Sequence, residues 1–242
     1  MSKGTIFGVG LGPGDPDLMS VRADRLVRGA RHVAYFRKKG RPGQARRIVD
    51  GLLRADAQES AMEYPVTTEI PVSDPRYNAI LSDFYAGCAV RLLALSAAGD
   101  DVVVLCEGDP FFYGSFMHLH TRLVDHAPVE VVPAITGMSG AWTAAGAPFT
   151  WGDDVLTVVM GTLPEAELQR RMADTDALVV MKIGRHFEKV CKALKAAGKY
   201  SEAFLVEYAT MANQTVRPLR DVDGTNVPYF SIILVPGKGR RP

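Results

Sequence analysis

Two short stretches hold most of the chemistry this chain can offer. The first is Gly8-Val9-Gly10-Leu11-Gly12-Pro13-Gly14-Asp15-Pro16, and the second is Glu107-Gly108-Asp109-Pro110-Phe111-Phe112-Tyr113-Gly114. Each follows an apolar run of strand character, Thr5-Ile6-Phe7 and Val102-Val103-Val104-Leu105-Cys106. Glycine removes the side-chain barrier to close backbone approach, and proline fixes φ. Both stretches therefore read as stiff, narrow loops at strand ends, where open α/β sheets bind their ligands. Asp109, held between Gly108 and Pro110, points a carboxylate at such a crevice for acid–base or orienting work. Taken alone, it reads as an ordinary Asp-Pro turn. Thr136-Gly137 follows a proline-ended strand and either joins the crevice or simply caps a helix. Six of the residues from 37 to 47 are basic: Arg37, Lys38, Lys39, Arg41, Arg46 and Arg47. That cluster is either a solvated loop or a grip for carboxylates. In conjunction these features point to an enzyme with a buried small-molecule cleft.

Other chemistries fit less well. A dinucleotide fingerprint needs G-x-G-x-x-G opening directly into a helix, with an acid closing the next strand. Here Pro13, Asp15 and Pro16 delay the helix to about Ser20, and the next strand ends Tyr35-Phe36-Arg37-Lys38. His118 and His120 stand two apart on a helix and face different ways, with no nearby Cys or Glu to complete a metal set. No serine or cysteine triad is present. Cys88, Cys106 and Cys191 are widely spaced and read as buried free thiols.

The elements that must position these residues follow from apolar spacing. Strand-length runs are Ile6–Leu11, Val33–Phe36, Val102–Cys106, Val129–Val132, Val155–Met160, Leu178–Ile183, Ala203–Val206 and Ser231–Val235. Helical spacing appears after Ser20, from Pro75 to Gly99, over Pro164–Met172, and over His186–Ala197 closed by Gly198. Alternating strands and helices predict α/β layers, and continuous apolar runs predict strands covered on both faces. A domain boundary is expected at the Pro128–Pro133 seam, giving an N-terminal α/β domain over 1–133 and a C-terminal one over 134–242. Thr215–Leu219 and Tyr229–Val235, joined through a turn-rich connection, suit antiparallel strands and a mixed second sheet. The basic tail, Lys238–Pro242, is expected to be disordered.

Bulk properties set the class. The chain has 242 residues, 47% apolar and 23% charged, with a net charge of +1. This is a globular composition with no global pull toward nucleic acid or an anionic membrane. No apolar run approaches the ~20 residues of a membrane span, and the glycines of Thr5–Leu11 do not suit a signal-peptide core. A reduced, cytoplasmic protein is expected.

The motifs also resemble a known family. Gly8-x-Gly10-x-Gly12-Pro13-Gly14-Asp15-Pro16-x-Leu18, Gly108-Asp109-Pro110 and Val132-Pro133-Ala134-Ile135-Thr136-Gly137-Met138-Ser139 fall in the order and spacing of the tetrapyrrole methylases. The resemblance spans nearly the whole chain. It implies two α/β domains of the class III methylase type, with S-adenosylmethionine (SAM) bound in the cleft between them. Tyr35-Phe36-Arg37-Lys38-Lys39-Gly40-Arg41, Ala45-Arg46-Arg47-Ile48-Val49, Met181-Lys182-Ile183-Gly184-Arg185, Glu207-Tyr208-Ala209-Thr210 and Tyr229-Phe230-Ser231 are similar to the branch methylating C20 of precorrin-2, or its cobalt complex, in cobalamin synthesis.

On that resemblance Pro13, Glu107, Gly108, Asp109, Phe112, Thr136, Gly137, Met181 and Ala209 line the SAM site, unless a one-residue shift puts Lys182 in the place of Met181. Glu107 departs from the family, where many members carry Gly, and Ala134 and Gly137 replace Gly and Ala or Ser. The implied substrate carries eight carboxylates, for which Arg37, Lys38 and Lys39, with Lys182 and Arg185, are the candidate contacts. Asp109 is the candidate catalytic group. The resemblance implies a homodimer and no metal. Outside this class stand an NADP-dependent oxidoreductase, with Arg37 and Lys38 on a 2′-phosphate, and a non-catalytic binder; near-neutral charge disfavours an RNA substrate.

Overall fold

The structure is a computed structural model that describes residues 2–67, 70, 74–224 and 226–240. The chain divides into two compact units, Met1–Thr136 and Gly137–Pro242.

The first unit contains β1 (Ile6–Gly10), α1 (Val21–Gly29), β2 (His32–Lys38), α2 (Gln44–Ile48), β3 (Gln58–Tyr64), α3 (Pro75–Ala97), β4 (Val102–Cys106), α4 (Phe116–Leu123) and β5 (Val129–Val132). Its five strands run in the order β3-β2-β4-β1-β5, and every pairing is parallel. Successive side chains on a strand face opposite ways, and the two faces are covered by different helices. Ile6, Val102, Val104 and Cys106 pack with α3 and α4, whereas Val9, Val103 and Leu105 pack with α1 and α2. At Gly8 a Cβ would lie 2.3 Å from the buried Phe116 ring, so only glycine lets α4 lie this close to β1. α1 starts at Ser20, whose hydroxyl accepts the Ala23 N–H at 3.1 Å.

Two elements of this unit gave no apolar signal. β3 reads Gln58-Glu59-Ser60-Ala61-Met62-Glu63-Tyr64, is an edge strand, and fully buries only Met62. α2 is five residues long and buries Ala45 and Ile48. α3 corrects the expectation that no segment approaches membrane-spanning length. Its 23 residues are apolar enough by length and composition, but Tyr85, Cys88, Ala89, Leu92 and Ser96 are buried in the first unit.

The second unit contains α5 (Gly137–Ala144), β6 (Leu156–Met160), α6 (Glu165–Ala173), β7 (Ala177–Met181), α7 (Phe187–Ala196), β8 (Phe204–Glu207), β9 (Thr215–Pro218) and β10 (Ser231–Val235). The strand order is β6-β7-β10-β8-β9; β6 and β7 are parallel and the other pairings antiparallel. The sheet is mixed, as expected, but β9 and β10 are not partners of each other: both pair with β8. α5 covers one face with Ala141 and Trp142, the latter stacked on Phe149 at 5.0 Å, and α6 and α7 cover the other. The tail makes side-chain and backbone contacts to the second unit. The Asp154 carboxylate accepts the Trp151 and Gly239 N–H groups, and Lys238 pairs with Glu202. Arg241 and Pro242 lie outside the described residues.

Candidate active site

The glycine-rich loops leave two neighbouring strands of the first sheet. The chain leaves β1 and crosses by α1 toward β2, whereas it leaves β4 and crosses the opposite face by α4 to β5. Right-handed crossovers require opposite faces for opposite directions. The adjacent carboxyl ends of β1 and β4 therefore send their loops to opposite faces of the sheet, at the strand ends where open α/β sheets bind ligands.

The loops are stitched to one another. Leu11 N–H donates to the Cys106 carbonyl at 2.9 Å, and Gly108 N–H donates to the Gly12 carbonyl at 2.8 Å. Gly12 has φ +80, a left-handed conformation that glycine adopts without strain. A Cβ on Gly10 would stand 2.6 Å from Ala134 Cβ and 2.9 Å from the Gly108 carbonyl oxygen and from Pro110 Cδ. Gly10 is thus the point where three motifs from remote parts of the sequence converge. Pro13 is buried beside this junction, and Gly108, Asp109 and Phe112 are partly exposed around it.

Asp109 uses both carboxylate oxygens on backbone donors. Oδ1 accepts the Phe111 N–H at 2.9 Å and Oδ2 accepts the Ala134 N–H at 3.0 Å. The side chain therefore ties the turn after β4 to the segment after β5. The Glu107 Oε1 accepts the Ala45 N–H at 3.0 Å in the first turn of α2. Surrounding protein pushes the Glu107 carboxyl up to about 7, while the Ala45 N–H pulls it down. Glu107 is also reached by solvent, which screens its charge. Burial likewise raises the Cys106 thiol, which donates to the Val104 carbonyl at 3.5 Å.

The basic segment is not a bare cationic wall. Arg37 donates to Glu63 through Nε at 3.0 Å and Nη2 at 2.7 Å, and Arg46 Nε donates to Glu59 at 2.7 Å. Both acids come from β3, the strand the apolar pattern did not show. Lys38, Lys39, Arg41 and Arg47 are exposed. His118 stacks on Tyr85 at 4.6 Å and His120 meets the Phe111 ring edge-on at 4.8 Å, so the two imidazoles serve different contacts.

In the second unit, Met181 ends β7, Ala209 follows β8, and both belong to the apolar cluster of Met138, Trp142 and Ile232. Gly137 opens α5, where a Cβ would lie 3.7 Å from Ile232 Cδ1. Tyr208 N–H donates to the Phe230 carbonyl at 2.8 Å. β7 and β8 both run antiparallel to β10, so their carboxyl ends share one edge of this sheet. Three non-glycine residues at that edge hold left-handed conformations: Lys182 (φ 53), Tyr208 (φ 51) and Thr210 (φ 64). Such strain gathers at functional sites. Lys182 and Arg185 are exposed, and surrounding protein lowers the Lys182 ammonium pKa.

A profile of the Tetrapyrrole (Corrin/Porphyrin) Methylases matches residues 5–223. The chain belongs to that family. This methylase is 50% identical, over 99% of its length and 98% of the relative's, to a precorrin-2 C(20)-methyltransferase of Sinorhizobium sp. It is 47% identical to the cobalamin biosynthesis protein CobIJ of Mycobacterium tuberculosis, of which it spans 47%. A cobalt-precorrin-2 C(20)-methyltransferase of Salmonella typhimurium is 29% identical over 96% of both chains. The fold is shared with the cobalt precorrin-4 methyltransferase CbiF (TM-score 0.71, 23% identity, 96% of this chain and 94% of that one). It is also shared with the Thermus thermophilus uroporphyrin-III C-methyltransferase complexed with S-adenosylhomocysteine (TM-score 0.64, 23% identity, 96% of each chain).

In this methylase, then, Pro13, Gly108, Asp109 and Phe112 lie in the loops that leave the adjacent carboxyl ends of β1 and β4, and Gly137, Met181 and Ala209 gather at one edge of the second sheet. Met181 shares an apolar cluster with Ala209, and Lys182 follows it in a left-handed conformation. Sequence reading missed Glu59 and Glu63 as partners of the basic segment, and Ala45 and Ala134 as backbone donors. Backbone donors have no side-chain signature, and the two glutamates sit in a polar edge strand.

Proposed function

We propose that this methylase transfers a methyl group from SAM to C20 of precorrin-2, yielding precorrin-3A in cobalamin biosynthesis. The reading rests above all on 50% identity over the full length of a precorrin-2 C(20)-methyltransferase. The residues suit such a group: the glycine loops allow close approach to their backbone, and the adjacent Cys106 is held as a neutral thiol by burial. SAM supplies an electrophilic methyl on a sulfonium, C20 bonds to that carbon as the S–C bond breaks onto sulfur, and the C20 proton is released.

The protein's part is alignment and exclusion of water, with reacting atoms about 3–3.5 Å apart. Pro13, Gly108, Asp109, Phe112 and Thr136 in the first unit, and Gly137, Met181 and Ala209 in the second, are assigned to the cofactor. Asp109 acts as a positioning residue, because both its oxygens hold backbone amides of the loops. Lys38, Lys39 and Arg41, with Lys182 and Arg185, take substrate carboxylates, while Arg37 and Arg46 brace the segment against Glu63 and Glu59.

The higher identity to the metal-free enzyme than to the cobalt one supports precorrin-2 itself as substrate. Incubation with SAM and either metal-free or cobalt-loaded precorrin-2, read by product mass, tests this. One added methylene on the metal-free macrocycle is expected. Turnover of the cobalt complex alone would overturn the choice of substrate, and turnover of neither would overturn the activity.

A further inference from the structure

We propose that Glu107 is a positioning residue that couples the turn after β4 to the basic segment 37–47, and that this coupling serves substrate affinity, not cofactor affinity. The proposal rests on the precorrin-2 reading above for the identity of the substrate.

α2 has only five residues, too few to hold itself by propensity, and its N-cap is Gly43, which supplies no side-chain hydrogen bond. The usual remedy, Ser or Asp at the N-cap, is closed to it. A Cβ on Gly43 would lie 2.7 Å from the Phe36 carbonyl oxygen and 3.0 Å from Tyr35 Cδ2. The missing cap arrives from 62 residues away as Glu107 Oε1 on the Ala45 N–H. The next residue, Gly108, donates to the Gly12 carbonyl, so one short stretch grips both the glycine loop and the start of α2. α2 carries Arg46, bound to Glu59 and Asp50, and the exposed Arg47. With its carboxyl group on Ala45, Glu107 fixes where α2, and the Lys38–Arg41 stretch that leads into it, stand relative to the loops.

The test compares wild type with Glu107→Ala, Glu107→Gln and Glu107→Asp. Steady-state kinetics with precorrin-2 and SAM, S-adenosylhomocysteine titration calorimetry, thermal melting and hydrogen exchange at the Ala45 amide are measured on the full chain. Glu107→Ala is expected to raise the precorrin-2 KM about tenfold, the scale of one lost hydrogen bond, with kcat and S-adenosylhomocysteine affinity within about twofold. Glu107→Gln keeps an acceptor oxygen and is expected to restore KM and Ala45 protection. Glu107→Asp, one methylene short, is the milder lesion should the alanine variant not fold, and must show the same split. Weakened S-adenosylhomocysteine binding with unchanged precorrin-2 KM would overturn the proposal and make Glu107 a cofactor contact. Unchanged Ala45 exchange in the alanine or aspartate variant would overturn the cap. Absence of turnover by the wild type would overturn the precorrin-2 reading instead, with the exchange result still deciding the cap.

Discussion

Asp109→Asn separates positioning from acid–base chemistry. The carboxylate gives one oxygen to the Phe111 N–H at 2.9 Å and the other to the Ala134 N–H at 3.0 Å. Asparagine has a single carbonyl oxygen, so whichever rotamer it takes, its NH2 faces one of these donors. A hydrogen bond to a charged group contributes about 1.5–3 kcal/mol, and partial exposure of Asp109 places the loss near the lower end, about 1–2 kcal/mol. For a chain of this length that lowers Tm by about 2–8 °C. The loosened link between Asp109 and Ala134 should weaken S-adenosylhomocysteine binding by up to about tenfold, since 1.4 kcal/mol is one decade. At saturating SAM and precorrin-2, kcat should stay within about tenfold of wild type. Thermal melting, calorimetry and single-turnover kinetics on one preparation give all three quantities. An unchanged Tm and unchanged affinity beside a kcat loss of about a thousandfold, the scale of general acid–base catalysis, would refute the positioning role and return Asp109 to proton transfer.

Four further outcomes follow from the geometry. Gly10→Ala sets a Cβ 2.6 Å from Ala134 Cβ and 2.9 Å from two atoms of the second loop; overpacking of about 1–3 kcal/mol and loss of S-adenosylhomocysteine binding are expected, and normal calorimetry would contradict the convergence of the three motifs. Lys182→Gly relieves a residue held at φ 53; Tm should rise by the equivalent of about 1 kcal/mol or less while the precorrin-2 KM increases, and a lower Tm would show that the side chain's contacts outweigh the strain. Neutralising the exposed Lys39 and Arg41 should raise the precorrin-2 KM more than neutralising Arg37 and Arg46, whose charges are matched by Glu63 and Glu59; the reverse order would make the paired arginines the substrate contacts. The Glu107 carboxyl is raised above its ordinary 4.5 toward about 7, so the folded state keeps a proton the unfolded state has lost. Stability relative to Glu107→Gln should therefore be greatest below about pH 4.5 and fall as pH rises through about 7, and parallel melting curves across that window would show that solvent screening cancels the shift.

Much of the first sheet was legible because its central strands are buried on both faces and so read as unbroken apolar runs, such as Val102–Cys106. The two loops were legible because glycine and proline mark backbone requirements directly. β3 escaped because an edge strand buries one residue and spends the rest on polar contacts. With it went Glu59 and Glu63, and the six-residue basic cluster looked like free charge when two of its arginines are paired. The β9–β10 connection reads as a hairpin locally, yet β10 enters between β7 and β8, a nonlocal choice that turn chemistry does not encode. The roles of Asp109 and Glu107 depend on the amides of Ala134 and Ala45, 25 and 62 residues distant. Any residue but proline offers such an amide, so nothing in the side-chain sequence distinguishes these two.

The central claim is methyl transfer to one defined carbon of a metal-free macrocycle. It is tested most directly by incubating the protein with precorrin-2 and SAM carrying a 13C-labelled methyl, then locating the label in the product by NMR. The account predicts a single new methyl resonance correlated with C20 and its neighbouring pyrrole carbons. Label at another ring position, or none incorporated in the presence of intact substrate, would contradict it.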